Sequence, residues 1–297
     1  MQLTNFSRIG SYILRTLAIF AICLAGANHL SAQSARPAAE DKGFTLFEEF
    51  RGSTSDQGQF TILDTSLGYD FNRHVGIDIG VPYYFFRSTP HLVPGERHFW
   101  DNTVGDPYAD LRLTFDNRVL NYATIFSFAV PVAETGSFST GRLGVDWFNH
   151  FDRPIGPVTP YVNFGISNGL LDTRLLAQPF RIFDSFTSLG FLADAEGGVT
   201  LKLARRVLIG GSYYALQPSG SQKLFAANGI QNFFLQPNGS ADVSNFTHDR
   251  GYSAFIRFNP TRFMYIEPAY VHSLKLNTDA ATLTVGFDLR ALFGGKR

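Results

Sequence analysis

In several segments the charged residues fall only on alternate positions, and the positions between them are apolar. Asp106, Asp110 and Arg112, for example, alternate with aliphatic residues between 106 and 113. Such residues share one face of an extended strand. They could line a polar pathway for solutes, or they could form ion pairs that fill a closed interior, because buried charges must be paired. The candidates for such a lining are Asp78, Asp106, Asp110, Arg112, Arg142, Asp146, Asp194, Glu196, Arg257, Glu267, Asp288 and Arg290.

The seven histidines are the residues best suited to acid–base or nucleophilic catalysis. Three of them adjoin a polar partner in the chain, at 149–150, 248–249 and 272–273, but chain neighbours in a strand point to opposite faces. An Asp–His pairing of the protease type at a loop-bearing rim is an alternative, with His91, His98, Asp101 and Asp106 as its members. The simpler interpretation of the same residues is a polar loop with scattered histidines and no catalytic role. No metalloprotease, CxxC or phosphate-loop motif is present, so we expect no enzyme activity, no metal site and no cofactor.

The composition argues against a nucleic-acid partner. Lysine plus arginine equals aspartate plus glutamate at 25 each, so the chain has no basic excess. Charged residues make up 17% of the chain and aromatic residues 15%, with 30 Phe and 12 Tyr. A high aromatic content is typical of half-buried strand surface.

The first 32 residues have the features of a secretory signal peptide. Arg8 and Arg15 precede the apolar run 17–25, which is too short to span a bilayer as a helix. Cleavage is expected after Ala27 or Ala32. Residues 33–42 would then form a polar periplasmic lead, and 43–297 the folded domain. The one cysteine, Cys23, lies in the signal peptide, so no disulfide or thiolate metal site is expected.

Alternation of apolar and polar residues with a period of two predicts strands through most of the remaining chain. The clearest example is the hairpin at 104–131, whose two arms flank Asp116-Asn117-Arg118. About twelve antiparallel strands follow from the pattern, at 43–52, 59–70, 73–87, 104–115, 119–131, 139–150, 156–167, 185–203, 207–216, 251–258, 262–273 and 280–293.

The connections between these strands alternate in length. The tight set comprises 70–73, 116–118, 152–156, 204–206 and 259–262, and is rich in Asn, Asp and Pro. The long set comprises 53–58, 88–103, 132–138, 168–184, 217–250 and 274–279. Short turns at one rim and long loops at the other are typical of outer-membrane barrels. The sequence therefore predicts an all-β protein, an antiparallel transmembrane β-barrel with periplasmic turns and extracellular loops, with a soluble sandwich as the alternative.

Two of the long loops, 168–184 and 217–250, are unusually apolar. Exposed apolar segments normally cover or contact something. These loops could enter the barrel mouth as a constriction, form an apolar vestibule, or pack on each other as a cap. For 217–250 we consider a partial plug, because its segment 224–235 holds several apolar side chains.

The chain resembles the transporter-like outer-membrane barrels associated with the meta-pathway of phenol degradation. The resemblance spans roughly 104–169 and rests on Gly105-Asp106, the DLRLTF ending, AVPVAETG at 129–136, TGRLGVDW at 140–147 and PVTPYVNFGISNG at 157–169. The family usually shows Pro-Thr-Gly after the apolar strand, whereas here only Thr135-Gly136 remains. The resemblance implies a barrel that passes small, often apolar compounds and has no catalytic residues.

The functional expectation is passive transport of small solutes across the bacterial outer membrane. The alternative is a structural or surface-interaction barrel without a conducting pore, and an outer-membrane enzyme is the third class. The expected partners are outer-membrane lipid, an unidentified small solute and the assembly machinery. That machinery would read the alternating last strand 281–293, although GGKR follows Phe293.

Overall fold

The computed structural model describes residues 42–55, 58–88, 101–117, 119–131, 143–168, 185–188, 192–218, 222–225, 249–275 and 277–289. The predicted signal peptide and most of the periplasmic lead lie outside these residues. Within them, no helix is long and apolar enough to cross a membrane.

The described residues form fifteen β-strands. Their bounds are β1 (Gly43–Ser55), β2 (Gly58–Asn72), β3 (Val75–Ser88), β4 (Asp101–Val104), β5 (Tyr108–Phe115), β6 (Asn121–Ala129), β7 (Gly144–Asp152), β8 (Val158–Ser167), β9 (Ser185–Ser188), β10 (Leu192–Ala204), β11 (Val207–Pro218), β12 (Gln222–Phe225), β13 (Asp249–Thr261), β14 (Met264–Ser273) and β15 (Thr278–Asp288).

Twelve of these strands close into one antiparallel barrel. Each wall strand pairs with the next wall strand in the chain, and β1 pairs with both β2 and β15. Glu49, for example, lies opposite Asp64 on one side and Gly286 on the other. Closure satisfies the backbone hydrogen bonds at both edges of the sheet. The predicted antiparallel barrel of about twelve strands is therefore confirmed.

The structure corrects three of the predicted segments. The segment predicted as one strand at 185–203 is divided into β9 and β10. The one at 104–115 is interrupted at 105–107, so that β4 and β5 both pair with β3. The predicted loop 53–58 is mostly strand, because β1 and β2 stay paired up to Ser55 and Gly58.

A short strand that follows the predicted loop 168–184 pairs with a short strand inside the predicted loop 217–250. Strand β9 pairs antiparallel with β12, with Ser185 opposite Phe225 and Ser188 opposite Gln222. This two-stranded sheet is separate from the barrel wall. Residues 169–184, 219–221 and 226–248 lie outside the described residues, so the alternatives for the two loops stay predictions. Most of the proposed plug, 226–235, lies outside the described residues.

The outer face of the wall is apolar. Along β13, buried Ser253 and Arg257 alternate with exposed Tyr252 and Ile256. Large apolar side chains are exposed around much of the barrel, among them Leu67, Ile77, Ile79, Val81, Leu111, Phe128, Val162, Ile166, Val199 and Tyr213. Apolar side chains outside and polar ones inside reverse the arrangement of a soluble protein, as expected for a wall that lies in lipid.

The outer face of β5 to β8 also carries a continuous layer of aromatic rings. The ring of Tyr122 lies 4.7 Å from that of Phe151, and Phe126 stacks on Trp147 at 6.0 Å. This layer covers Asn149, which is fully buried on the outward side and accepts a hydrogen bond from the Tyr122 hydroxyl at 2.8 Å. The Tyr122 hydroxyl satisfies the side-chain oxygen of Asn149. Its Nδ2 is buried without a hydrogen-bond partner among the described residues.

Candidate functional site

The candidate site is the interior of the barrel. Of the residues predicted to line it, Asp78, Arg112, Asp194, Glu196, Arg257 and Glu267 are buried on the inner face. Asp106, Asp110, Asp146 and Asp288 have the same inward parity and are partly buried. Arg142 and Arg290 lie outside the described residues. The burial shows that inner-face side chains pack against other groups at these positions.

Sequence reasoning missed several inner-face charges. Glu49, Arg51, Asp70 and Asp249 are all less than a tenth exposed and belong to the same lining. The missed signal in β1 was its alternation, in which Thr45, Glu49 and Arg51 share a face. The adjacent pair Glu48-Glu49 obscured that alternation, because two charges in a row do not fit a period of two.

Arg112 forms the first ionic cluster. Its Nη2 lies 2.6 Å from Asp70 Oδ1 and 3.5 Å from Asp78 Oδ2, so β5 is connected across β3 to β2. Gly76 makes room for it, since a Cβ there would lie 2.5 Å from Arg112 Nη2. The two carboxylates compensate for the hydration that the Arg112 guanidinium loses on burial.

Arg257 forms the second ionic cluster. Its Nε donates to Glu267 Oε2 at 2.6 Å, and its guanidinium carbon lies 5.2 Å from the centre of the Tyr265 ring. The Tyr265 hydroxyl donates to Glu49, whose other oxygen contacts Arg51 at 2.6 Å. The cluster thus joins β13, β14 and β1 through charge-assisted hydrogen bonds and a cation–π contact.

A third feature repeats around the interior: a tyrosine ring lies over a glycine of the paired strand and donates to a carboxylate. Tyr108 lies over Gly80 and donates to Asp64 at 3.0 Å. The other three sets are Tyr161 over Gly198 with Glu196, Tyr214 over Gly251 with Asp249, and Tyr265 over Gly286 with Glu49. A Cβ at any of these glycines would overlap the ring.

These glycines determine how far the rings project into the lumen. A side chain at the glycine position would push the ring away from the wall and towards the barrel axis. With glycine the ring stays against the sheet, and its hydroxyl reaches the carboxylate. The rings therefore make the interior narrower than it would be without them. They fill it less than rings that pointed towards the barrel axis would.

The histidines take separate positions. His150 Nδ1 lies 2.6 Å from Asn163 Oδ1 and its Nε2 lies 3.3 Å from Asp152. His272 faces outward and lies 2.8 Å from Asp279, whereas Ser273 next to it faces inward and donates to Asp249. His91 and His98 lie outside the described residues. Within those residues, no group of three or more His, Cys, Asp or Glu could hold a metal ion.

Comparison with solved structures identifies similar barrels. An outer-membrane channel from Pseudomonas putida F1 matches with a TM-score of 0.54 at 9% identity, over 88% of this chain and 100% of that one. The KdgM porin in complex with disordered oligogalacturonate matches with a TM-score of 0.46 at 6% identity, over 81% and 98%. The translocator domain of the autotransporter NalP from Neisseria meningitidis gives 0.47 at 8% identity, over 95% and 96%.

No family model and no curated protein matches the sequence. The resemblance to the phenol-degradation barrels therefore stays a prediction. At sequence identities below a tenth, structural similarity indicates a shared fold but does not identify the solute. The chain has the fold of a twelve-stranded outer-membrane barrel.

Proposed function

We propose that this protein is an outer-membrane channel for the passive passage of small solutes. One observation carries the proposal: a closed wall whose outer face is apolar and whose inner face is charged and hydrogen-bonded. Such a wall separates lipid from a polar interior, which is what a transmembrane conduit requires.

The interior favours small polar solutes. Twelve strands lie between small side-chain-filled barrels and wide porins, and arginine and tyrosine side chains occupy part of this lumen. Carboxylates and guanidinium groups replace the hydration of a polar solute but offer little to an apolar one. The polar lining thus supports a different solute class from the apolar compounds that the family resemblance implies.

A second candidate function is a structural barrel without a conducting pathway. It is favoured by the burial of the ionic clusters, since Arg112 and Arg257 are less than a tenth exposed. A fully packed interior would use the same ion pairs only to hold the wall together.

Planar-bilayer recording on the purified protein separates the two candidates. The channel proposal predicts single-channel currents, and a larger unit conductance in Tyr161→Ala, because that inward ring narrows the lumen. The matched control is Tyr213→Ala, whose ring is outward and 49% exposed, and its conductance should equal that of the wild type. Absence of current from protein that is folded by heat-modifiable gel mobility would favour the structural barrel.

The outer-membrane location and the orientation are also proposals. The barrel fold and the predicted signal peptide support insertion into the outer membrane, with the last strand read by the assembly machinery and the tight turns facing the periplasm. An Asn117→Cys variant should resist an impermeant maleimide on whole cells, while Ser221→Cys should react. The reverse labelling would invert the topology, and recovery without detergent would contradict membrane insertion.

A further inference from the structure

Every tight turn of the wall contains an arginine. These residues are Arg73, Arg118, Arg153, Arg205, Arg206 and Arg262. Arg118 lies outside the described residues and Arg206 is half-buried, while the other four are exposed. Of the three carboxylates in the same turns, Asp70 and Asp152 face the interior, where they contact Arg112 and His150, and Asp116 is exposed. The exposed charged side chains of the described turns are thus four arginines and one carboxylate.

A band of aromatic rings lies on the outer face next to these turns. The ring of His74 stacks on Phe115 at 5.9 Å, Phe115 on Tyr122 at 6.0 Å, and Tyr122 on Phe151 at 4.7 Å. The four rings come from the residue before β3 and from β5, β6 and β7. Phe115 is 47% exposed. Aromatic rings in this position are typical of the level where a barrel wall passes from lipid to water.

Arg73 is attached to one end of this band. Its Nε donates to His74 Nε2 at 2.9 Å, and His74 Nδ1 lies 2.8 Å from the carbonyl oxygen of Thr114. Because Nε2 accepts from Arg73, Nδ1 is the nitrogen that donates to Thr114. The contact uses one of the five N–H donors of the guanidinium and holds it beside the outer rings.

Arg153 lies at the other end of the band. Its backbone N–H donates to the carbonyl oxygen of Pro160 at 3.1 Å, which continues the register of Asp152 opposite Tyr161. Side chains two residues apart share a face, so Arg153 lies on the same outward face as Phe151. Three strand spacings separate the two arginine-bearing ends, a distance of about 14 Å. Each arginine would therefore meet a separate lipid headgroup.

We propose that the tight-turn rim binds anionic phospholipids, with their phosphates at Arg73 and Arg153 and their acyl chains against the aromatic band. A guanidinium matches the geometry of a phosphate and can donate to two of its oxygens. Free phosphate would match only the arginines, whereas a phospholipid also covers the exposed ring faces. Lipid binding at this rim does not require that the lumen conducts.

The test measures which lipid the barrel surface prefers. The purified protein is placed in phosphatidylcholine vesicles with a trace of spin-labelled phosphatidylglycerol or spin-labelled phosphatidylcholine, and the motionally restricted fraction gives the relative affinity for the two headgroups. One arginine near an anionic headgroup raises binding about fivefold, so we expect a ratio of about two averaged over the whole barrel surface. The ratio should fall towards one at about 1 M sodium chloride, where the Debye length is about 3 Å.

The variant that removes both anchors is Arg73→Gln combined with Arg153→Gln, and it should lower the ratio by about 1.5-fold. The control is Lys202→Gln. Lys202 is also exposed near the tight turns, but it shares the inward face of β10 with Glu196, so its loss should leave the ratio unchanged. Heat-modifiable gel mobility checks that each variant is folded.

Three results would overturn the inference. A wild-type ratio of one would show that the barrel surface has no preference for the anionic headgroup. An unchanged ratio in the folded double variant would show that Arg73 and Arg153 do not bind it. An equal loss in Lys202→Gln would show that the attraction does not come from the outer rim. Single-channel currents are unaffected by these outcomes, so the channel proposal is tested separately.

Discussion

Adjacent residues Glu48 and Glu49 on β1 have the same side chain and face opposite sides of the wall. Glu49 is 3% exposed and connects Arg51 to Tyr265 within the interior. Glu48 faces outward, and its two oxygens lie 2.9 and 2.7 Å from the hydroxyl of Thr65 on the paired strand. The face of the wall, more than the residue type, therefore determines what these side chains contact. Glu49 belongs to a charged network, whereas Glu48 contacts a single hydroxyl group.

The largest expected effect comes from removing one partner of a buried ion pair. Arg257→Ala leaves Glu267 buried without its guanidinium, and we expect it to lower the free energy of unfolding by about 3–5 kcal/mol. Arg257 is 4% exposed, so the pair is well shielded from water. The outward control on the same strand is Arg250→Ala, which should have little effect. Urea unfolding in detergent, followed by tryptophan fluorescence, measures both. Equal effects of the two variants would contradict the comparison between faces.

A smaller effect is expected from a methyl group at neighbouring glycines. Gly198→Ala forces the Tyr161 ring off the inner wall and should destabilise the barrel by about 1–2 kcal/mol. Gly197 faces outward, and a Cβ there would meet no atom within 4 Å. Gly197→Ala should therefore be neutral or stabilising by up to about 0.5 kcal/mol, because alanine loses less backbone entropy. The same unfolding assay applies, and a destabilised Gly197→Ala with an unaffected Gly198→Ala would reverse the assignment of faces.

The smallest effect is expected from loss of a single inward hydroxyl. Tyr108→Phe retains the ring over Gly80 but removes the hydrogen bond to Asp64, at a cost of about 1 kcal/mol. Tyr213→Phe on the outer face removes a hydroxyl from an exposed ring and should cost less. A double-mutant cycle of Tyr108→Phe with Asp64→Asn isolates the interaction. A coupling energy of zero would mean that the hydroxyl and the carboxylate are independent.

The alternation of residue types was sufficient to predict the wall. The twelve strands and the inward parity of residues such as Asp78, Arg112 and Glu196 follow from a period of two, because side chains on a strand alternate between faces. Strand ends were less well determined. At 105–107 the chain leaves the ladder between β4 and β5, where Pro107 cannot donate a backbone hydrogen bond.

The networks inside the barrel could not be predicted from the sequence. Which glycine lies under Tyr161 depends on the register between β8 and β10, and a single sequence does not specify register. The same holds for Arg112, whose partners Asp70 and Asp78 are determined by how β2, β3 and β5 align. Buried Asn149 on the outer face was missed because the aromatic layer that covers it comes from three strands.

The most direct test of the two-faced wall is a nitroxide scan along β13. Single cysteines replace Ser253, Ala254, Phe255 and Ile256 in a Cys23→Ser background, each carries a spin label, and collision with molecular oxygen is measured in lipid vesicles. Oxygen dissolves preferentially in the bilayer core, so we expect high collision rates at 254 and 256 and low rates at 253 and 255. Equal rates at all four positions, or high rates at 253 and 255, would contradict the two-faced wall.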